Sequence, residues 1–293
     1  MAAASSTPET HAALPHIAIF PFLAKGHTIP MIHLAHYLHR HGLAAFTFFT
    51  TPGNASFVRE GLSGTDAASS PSQHCWRTWW LDNKAADGRV VLYVALGTLA
   101  AIPESQLKAV ADGLERSEVD FIWAVRPTNI DLGSGFEERT KGRGLVAREW
   151  VDQLEILKHQ SVRGFLSHCG WNSVLESVAA GVPLAVWPMH ADQPFNAKLV
   201  VDELKVAVRV QTSDRTIRGF VTSEEVSKVV RVLMLGEEGV EAAKNVAELS
   251  ARAKEVMEEG GPSWKALKDM ISEFCVKKVN GSLEESQDEK VDA

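Results

Sequence analysis

Between Phe165 and Ser177 the chain reads FLSHCGWNSVLES, an apolar strand that enters a helix through His168, Cys169, Gly170, Trp171, Asn172 and Ser173. A strand ending at His168 and a helix starting near Ser173 place Gly170 to Ser173 at a helix N-terminus, where backbone N–H groups and the helix dipole favour an anion. Phosphate suits these residues. His168 can add a charge-assisted contact, Asn172 and Ser173 can donate to phosphate oxygens, and Trp171 offers a flat wall beside the loop. A merely structural helix would show several of the same features, because Ser173-x-x-Glu176 is also a capping box, Gly181 a C′ residue and Pro183 a stop. The residue types leave both readings open, and the turn alone does not name a nucleotide.

The elements that must hold this turn alternate along the chain. HIAIFPFL (16–23) reads as a buried strand. A helix follows over about 29–41, with Met31, Leu34, Ala35 and Leu38 at helical spacing, and AAFTFFT (44–50) gives a second strand. GLSGTDAASSPSQ (61–73) is small, polar and aperiodic, as a boundary would be. Strands are then expected at 90–96, 120–125, 144–147, 162–167, 184–187 and 206–210, with helices over about 103–116, 153–158, 173–180 and 194–204. Such alternation means an α/β fold with a doubly wound parallel sheet. Three amphipathic helices, about 223–235, 237–258 and 262–279, follow, the first opened by the capping box Thr222-x-x-Glu225. The domains expected are an N-terminal βαβ unit over 14–64, which the resemblance described below makes a truncated remnant, a junction over 65–80, a complete C-terminal Rossmann-like domain over 81–279 and a disordered tail over 280–293. Two strands do not make an independent domain.

Composition narrows the partners. The 293 residues are 45% hydrophobic and 23% charged, with a net charge of −7 and no Lys/Arg-rich face, which speaks against nucleic acid or an anionic membrane surface. Cys75, Cys169 and Cys275 lie far apart without a CxxC pair, so a reducing, cytoplasmic setting is expected rather than a disulfide framework. The start of the chain has no basic stretch, and its apolar part from Ile17 to Ala24 is too short for a membrane span. His33, His36 and His39 recur at i, i+3 but lie away from the apolar positions, so a solvated face is expected. There is no D-x-D pair, and no metal or cofactor is expected. A dinucleotide-dependent oxidoreductase is set aside because no G-x-G-x-x-G follows either candidate first strand.

From Trp150 to Gln193 the chain reads WVDQLEILKHQSVRGFLSHCGWNSVLESVAAGVPLAVWPMHADQ, which resembles the signature box of plant secondary-product UDP-glycosyltransferases over its full length. VVLYVALGTLAAIP (90–103) is similar to the opening strand of that family's C-terminal domain, and FPFLAKGHTIPMIHLAHYL (20–38) to its N-terminal start. The resemblance implies a GT-B fold and inverting transfer of a sugar from a UDP-sugar to a small hydrophobic hydroxylated acceptor of flavonoid or phenolic type, by a monomer. Trp150 would stack on uracil and Gln153 would help hold the nucleoside. Glu176 would accept from the ribose hydroxyls, a role that suits a carboxylate. His168, Asn172, Ser173 and Thr98 would hold the diphosphate, and Trp171, Asp192 and Gln193 would meet the sugar. Gln193 makes UDP-glucose the default donor. Without the box, Trp150 would read as packing, and Asp192 and Gln193 as a polar loop.

Two departures matter. The family usually has proline where Asp152 stands, but Asp152-x-x-Glu155 can cap the following helix and keep the turn. His27 matches the family's base, the group that takes the acceptor proton. The aspartate that should hold that histidine has no counterpart. Similarity stops after TTPGNASFVREGLSG (50–64) and resumes near WWLDNKAADGRVVLYVALGT (79–98), and neither Asp66 nor Asp82 is a credible substitute. A donor-binding domain with poor transfer is therefore expected. The alternative is a nucleotide-sugar-binding remnant from a shortened transcript or gene model.

Overall fold

A computed structural model describes residues 14–22, 25–63, 71–97 and 101–281, with the backbone alone at 25, 71–76 and 275–281. Thr98, Asp66 and the expected tail beyond Gly281 lie outside the described residues. The described chain divides into two compact units: Leu14 to Ser63 together with Val256 to Gly281, and Pro71 to Glu255.

In the first unit β1 (His16–Ile19) pairs in parallel with β2 (Ala45–Phe48), Ile19 opposite Phe48, through the crossover helix α1 (Lys25–Arg40). Ile32, Ala35 and Leu38 of α1 are buried, as the helical spacing requires. The helix begins four residues before its expected start near 29, so Pro30 lies inside it, one turn past the N-terminus, and forgoes one helical hydrogen bond. His27 therefore sits in the first turn of α1 and not in a turn ahead of it. A further helix, α2 (Pro52–Leu62), follows with proline at its start. Its Gly61 carbonyl accepts a 2.7 Å hydrogen bond from His36 Nε2, so the row of three α1 histidines is not uniformly solvated.

The second unit opens with α3 (Pro71–Ala86), a helix where 71–80 read as junction. Ser, Pro and Gln at its start hide a helical row: Arg77, Leu81 and Lys84 are buried, and Lys84 Nζ pairs with the buried carboxylate of Asp120 at 3.1 Å. Then come β3 (Val91–Ala95), α4 (Glu104–Ser117), β4 (Asp120–Ala124), α5 (Phe136–Arg139), β5 (Gly144–Ala147), α6 (Gln153–Lys158), β6 (Val162–Ser167), α7 (Trp171–Ala180), β7 (Leu184–Val186), α8 (Gln193–Lys198), a π-helical turn Leu199–Glu203, β8 (Ala207–Arg209), α9 (Ser223–Leu235) and α10 (Glu237–Met257). The six strands form one parallel sheet in the order β5-β4-β3-β6-β7-β8. Every residue of β3 is buried because both faces are covered: Leu92, Val94 and Leu96 pack with α4 and α9, while Val91, Tyr93 and Ala95 pack with α6 and α7. The expected capping box opens α9, where Thr222 Oγ1 accepts from Glu225 N–H at 3.2 Å.

The chain lays down β4 and β5 on one side of β3, and β6, β7 and β8 on the other. The order reverses between β3 and β6, and the crevice beyond their carboxyl ends is where open sheets of this kind take ligands. Among the described residues no helix is long and apolar enough to cross a membrane.

The last helix, α11 (Pro262–Gly281), belongs to the first unit, which corrects the expected domain end at 279. Its buried Trp264 meets the rings of His41 at 4.7 Å and Tyr37 at 5.8 Å, and Tyr37 donates to the Met257 carbonyl at 3.1 Å. Amphipathicity announced this helix, but not which unit its apolar side serves.

Candidate functional site

The crevice is built around the turn from β6 into α7. Cys169 is buried in the left-handed region, φ 63°, and its N–H donates to Ser167 Oγ at 3.1 Å. Gly170 is the N-cap and supplies no side-chain acceptor, so α7 begins at Trp171, two residues ahead of expectation. Ser173 is thus the third helical residue, and the structural capping-box reading fails. Its hydroxyl instead accepts from Gln153 Nε2 at 3.0 Å. The C-terminal signals hold: Gly181 closes α7 at φ 70°.

The His168 ring is flanked by two glycines. A Cβ on Gly97, at the end of β3, would lie 3.0 Å from Nε2, and one on Gly170 only 2.6 Å away. Burial pulls the imidazole down to about 4; neighbouring His190 acts in the same direction, and a hydrogen bond with the Ala95 backbone and then Asp192 oppose it. His168 is therefore neutral at pH 7 in the ligand-free chain, and the charge-assisted contact expected of it needs a proton. A diphosphate beside the ring would raise its pKa. UDP-glucose binding is accordingly expected to take up protons and to strengthen as pH falls from the ring's ligand-bound pKa toward about 4, read as a calorimetric enthalpy that varies with buffer ionisation. A buffer-independent enthalpy would leave His168 at most a neutral donor to the diphosphate and remove the charge-assisted contact.

The turn carrying Trp150 survives its exchange of proline for Asp152, because Asp152 Oδ1 caps α6 by accepting from Glu155 N–H at 3.1 Å. Trp150 is half-buried just ahead of this cap. Gln153, the first residue of α6, spends its amide nitrogen on α7: Nε2 donates to Ser173 Oγ and, at 2.6 Å, to Glu176 Oε2. Its Oε1 accepts at 3.4 Å from the hydroxyl of Tyr93, which is buried on β3. Gln153 thus acts in this structure through Ser173 and Glu176. Burial raises the Glu176 carboxyl above its ordinary pKa; the Gln153 bond opposes this and Asp152 adds to it.

On the other side of the turn Asp192 and Gln193 open α8. Gln193 is buried, and its Oε1 accepts from the N–H groups of Met189 at 2.9 Å and His190 at 3.1 Å. The side chain is first a brace for its own loop, and the amide nitrogen is the part left to face a hydroxyl. Asp192 is exposed, its Oδ2 accepting from Asn196 Nδ2 at 2.8 Å. Trp171 stands at the start of α7 with 43% of its surface exposed. The unit therefore brings together Trp150, Gln153, His168, Trp171, Asn172, Ser173, Glu176, Asp192 and Gln193 on α6, α7, α8 and the turns before them.

His27 lies in the other unit. It is exposed, its ring meets the edge of Phe22 at 5.3 Å, and among the described residues no carboxylate hydrogen-bonds to it. Asp82 is engaged within the sheet unit by His159 Nε2 at 3.1 Å. Among the described residues no group of three or more His, Cys, Asp or Glu converges as metal ligands would. Sequence reasoning missed Tyr93, Asn196 and the packing role of Gly97. Asn196 alone left a signal, four residues after Asp192 on a helix.

Comparison with known proteins gives the family. The family described as UDP-glucoronosyl and UDP-glucosyl transferase matches residues 61–251. The chain is 52% identical over 208 residues to UDP-glycosyltransferase 90A1 of Arabidopsis thaliana, covering 70% of this chain and 44% of that protein. It is 43% identical over 196 residues to anthocyanidin 5,3-O-glucosyltransferase of a Rosa hybrid cultivar, covering 63% and 40%. Among solved structures, Phytolacca americana UGT2 complexed with UDP-2fluoro-glucose and pterostilbene superposes with a TM-score of 0.61 at 33% identity, over 87% of this chain and 52% of that one. The chain spans about half the length of these relatives. Its α/β architecture is that of GT-B plant glycosyltransferases, and it belongs to the UDP-glucoronosyl and UDP-glucosyl transferase family.

Proposed function

We propose that the sheet unit binds a UDP-sugar, UDP-glucose by default, in the crevice beyond β3 and β6. The chemistry of the chain is then transfer of the sugar, with inversion, to a hydroxyl of a small flavonoid- or phenolic-like acceptor, with His27 as the base. The observation that carries the donor assignment is the Gln153 bridge: one amide nitrogen ties α6 to Ser173 and Glu176 of α7. In this reading Trp150 stacks on uracil and Glu176 accepts from ribose, with His168, Asn172, Ser173 and Thr98 on the diphosphate and Trp171, Asp192 and Gln193 on the sugar. UDP-2fluoro-glucose in the Phytolacca relative supports the same ligand class. No metal or cofactor is assigned, and the chain is placed in the cytoplasm as a monomer.

A second reading, a donor-binding chain impaired in transfer, is favoured by one observation: His27 lacks a carboxylate partner among the described residues. Calorimetry with UDP tests the donor assignment shared by both. Trp150→Ala is expected to weaken binding toward the lower end of the ~1–3 kcal/mol that an aromatic stack supplies to a base, since the ring is half-buried. His168→Ala should weaken it as well. Unchanged affinity in both variants rejects the site.

A further inference from the structure

Two turns at the crevice each hold a non-glycine residue in the left-handed region: Cys169, φ 63°, between β6 and α7, and Ala191, φ 54°, ahead of α8. Such backbone is sparsely populated by residues with a Cβ, and it persists where surrounding contacts hold it. One side chain reaches both turns. Asn196 Nδ2 donates to the Cys169 carbonyl at 3.1 Å and to Asp192 Oδ2 at 2.8 Å. Both partners are acceptors, so the bridge needs two protons on one atom, which the asparagine amide supplies. A serine hydroxyl would offer one proton, and an aspartate would set its own oxygens against both partners. The neighbouring bonds are local: Cys169 N–H reaches Ser167 of the preceding strand, and Gln193 Oε1 reaches Met189 and His190 of its own loop.

We infer that Asn196 is a positioning residue that sets the spacing between the two turns, so that His168 and Trp171 on one and Asp192 and Gln193 on the other meet the same nucleotide sugar. The ligand in this inference rests on the donor-site reading above, whereas the clamp is a property of the unliganded chain. A ligand that reaches only the first turn depends on the clamp less than one that spans both.

The test compares Asn196→Asp and Asn196→Ala with the parent, in a chain where Cys75 and Cys275 are replaced by serine so that Cys169 reports alone. The Cys169 thiol is buried and its pKa is pushed up to about 12, so it reacts slowly with a thiol reagent at pH 7. Loss of the clamp is expected to speed that reaction roughly tenfold or more while the thermal midpoint stays close to the parent's. It should also raise the dissociation constant for UDP-glucose several times more than that for UDP. The exchange Asp192→Asn with Asn196→Asp restores an amide–carboxylate pair but leaves the Cys169 carbonyl without its donor, so the thiol should stay reactive. A parent-like thiol rate in both single variants overturns the clamp. A raised rate with an unchanged UDP-glucose to UDP ratio overturns its role in spacing the ligand. If the parent binds neither ligand, the donor-site reading falls and the thiol rate still decides the clamp. Should Asn196→Asp fail to fold, Asn196→Ala carries the comparison without adding charge.

Discussion

Given UDP-glucose and a phenolic acceptor, the purified chain is expected to form glucoside about 10²–10⁴-fold more slowly than a full-length relative such as the Arabidopsis 90A1 enzyme assayed beside it, the span that a positioned general base contributes. The base must accept the acceptor's proton as its oxygen attacks the anomeric carbon. A histidine does this well only when its tautomer and ring orientation are held and the imidazolium that forms is stabilised. His27 sits exposed in the first turn of α1, with the edge of Phe22 as its ring neighbour and no carboxylate bonded to it among the described residues. Its unit has a two-stranded sheet among the described residues, little scaffold for an acceptor pocket, so positioning is reduced along with base assistance. His27→Ala should then lower the residual rate less than tenfold, because little base catalysis is left to remove. Turnover matching the relative, lost in His27→Ala, would reverse this and restore the full transferase reading. Donor binding measured on the same sample separates a weak catalyst from a misfolded one.

The sheet unit was legible because local and global signals agree there. The strands of the Rossmann-like half are short apolar runs, and Asp152, Thr222 and Gly181 act in the structure as their spacing indicates. The start of α7 was misplaced for a physical reason. Ser173 three residues before Glu176 has the spacing of a capping box, but a glycine with no side chain takes the cap, and the serine turns to Gln153 across twenty residues of sequence. Local pattern cannot foresee a competing partner from another helix. The same limit hid α3, whose helical row is recognisable only once Asp120 is known to be waiting for Lys84. It also hid the company of α11, which depends on Tyr37 and His41 from the other end of the chain. The charge state of His168 is a further case. Histidine beside a phosphate turn suggests a cation, yet the packing of its ring against Gly97 and Gly170 desolvates it and keeps it neutral.

Glu176→Gln is expected to stabilise the protein at neutral pH while weakening UDP binding by about 1.5–3 kcal/mol, the worth of a hydrogen bond to a charged group. The stabilising half follows from burial. Desolvation raises the Glu176 carboxyl above its ordinary 4.5 in the folded chain, despite the opposing Gln153 bond. As pH rises through 4.5 the unfolded chain releases this proton first, so stability falls between the ordinary pKa and the folded one, and the loss is complete above the folded one. A glutamine cannot ionise, and its oxygen can still accept from Gln153 Nε2, so it escapes that loss with the α6–α7 bridge intact. The thermal midpoint of the variant should exceed the parent's at pH 7, and the difference should vanish below pH 4.5. The weakening half follows from the diol: two ribose hydroxyls are donors, and replacing one carboxylate oxygen with an NH₂ group removes an acceptor as well as the charge. The two effects have opposite signs and different causes, which makes the pair diagnostic. If the variant loses stability along with affinity, the carboxylate is part of the scaffold that joins α6 to α7. If it gains stability and loses affinity, the folded chain carries a partly desolvated charge whose use lies in the ligand, as expected of a half-buried carboxylate at a binding site.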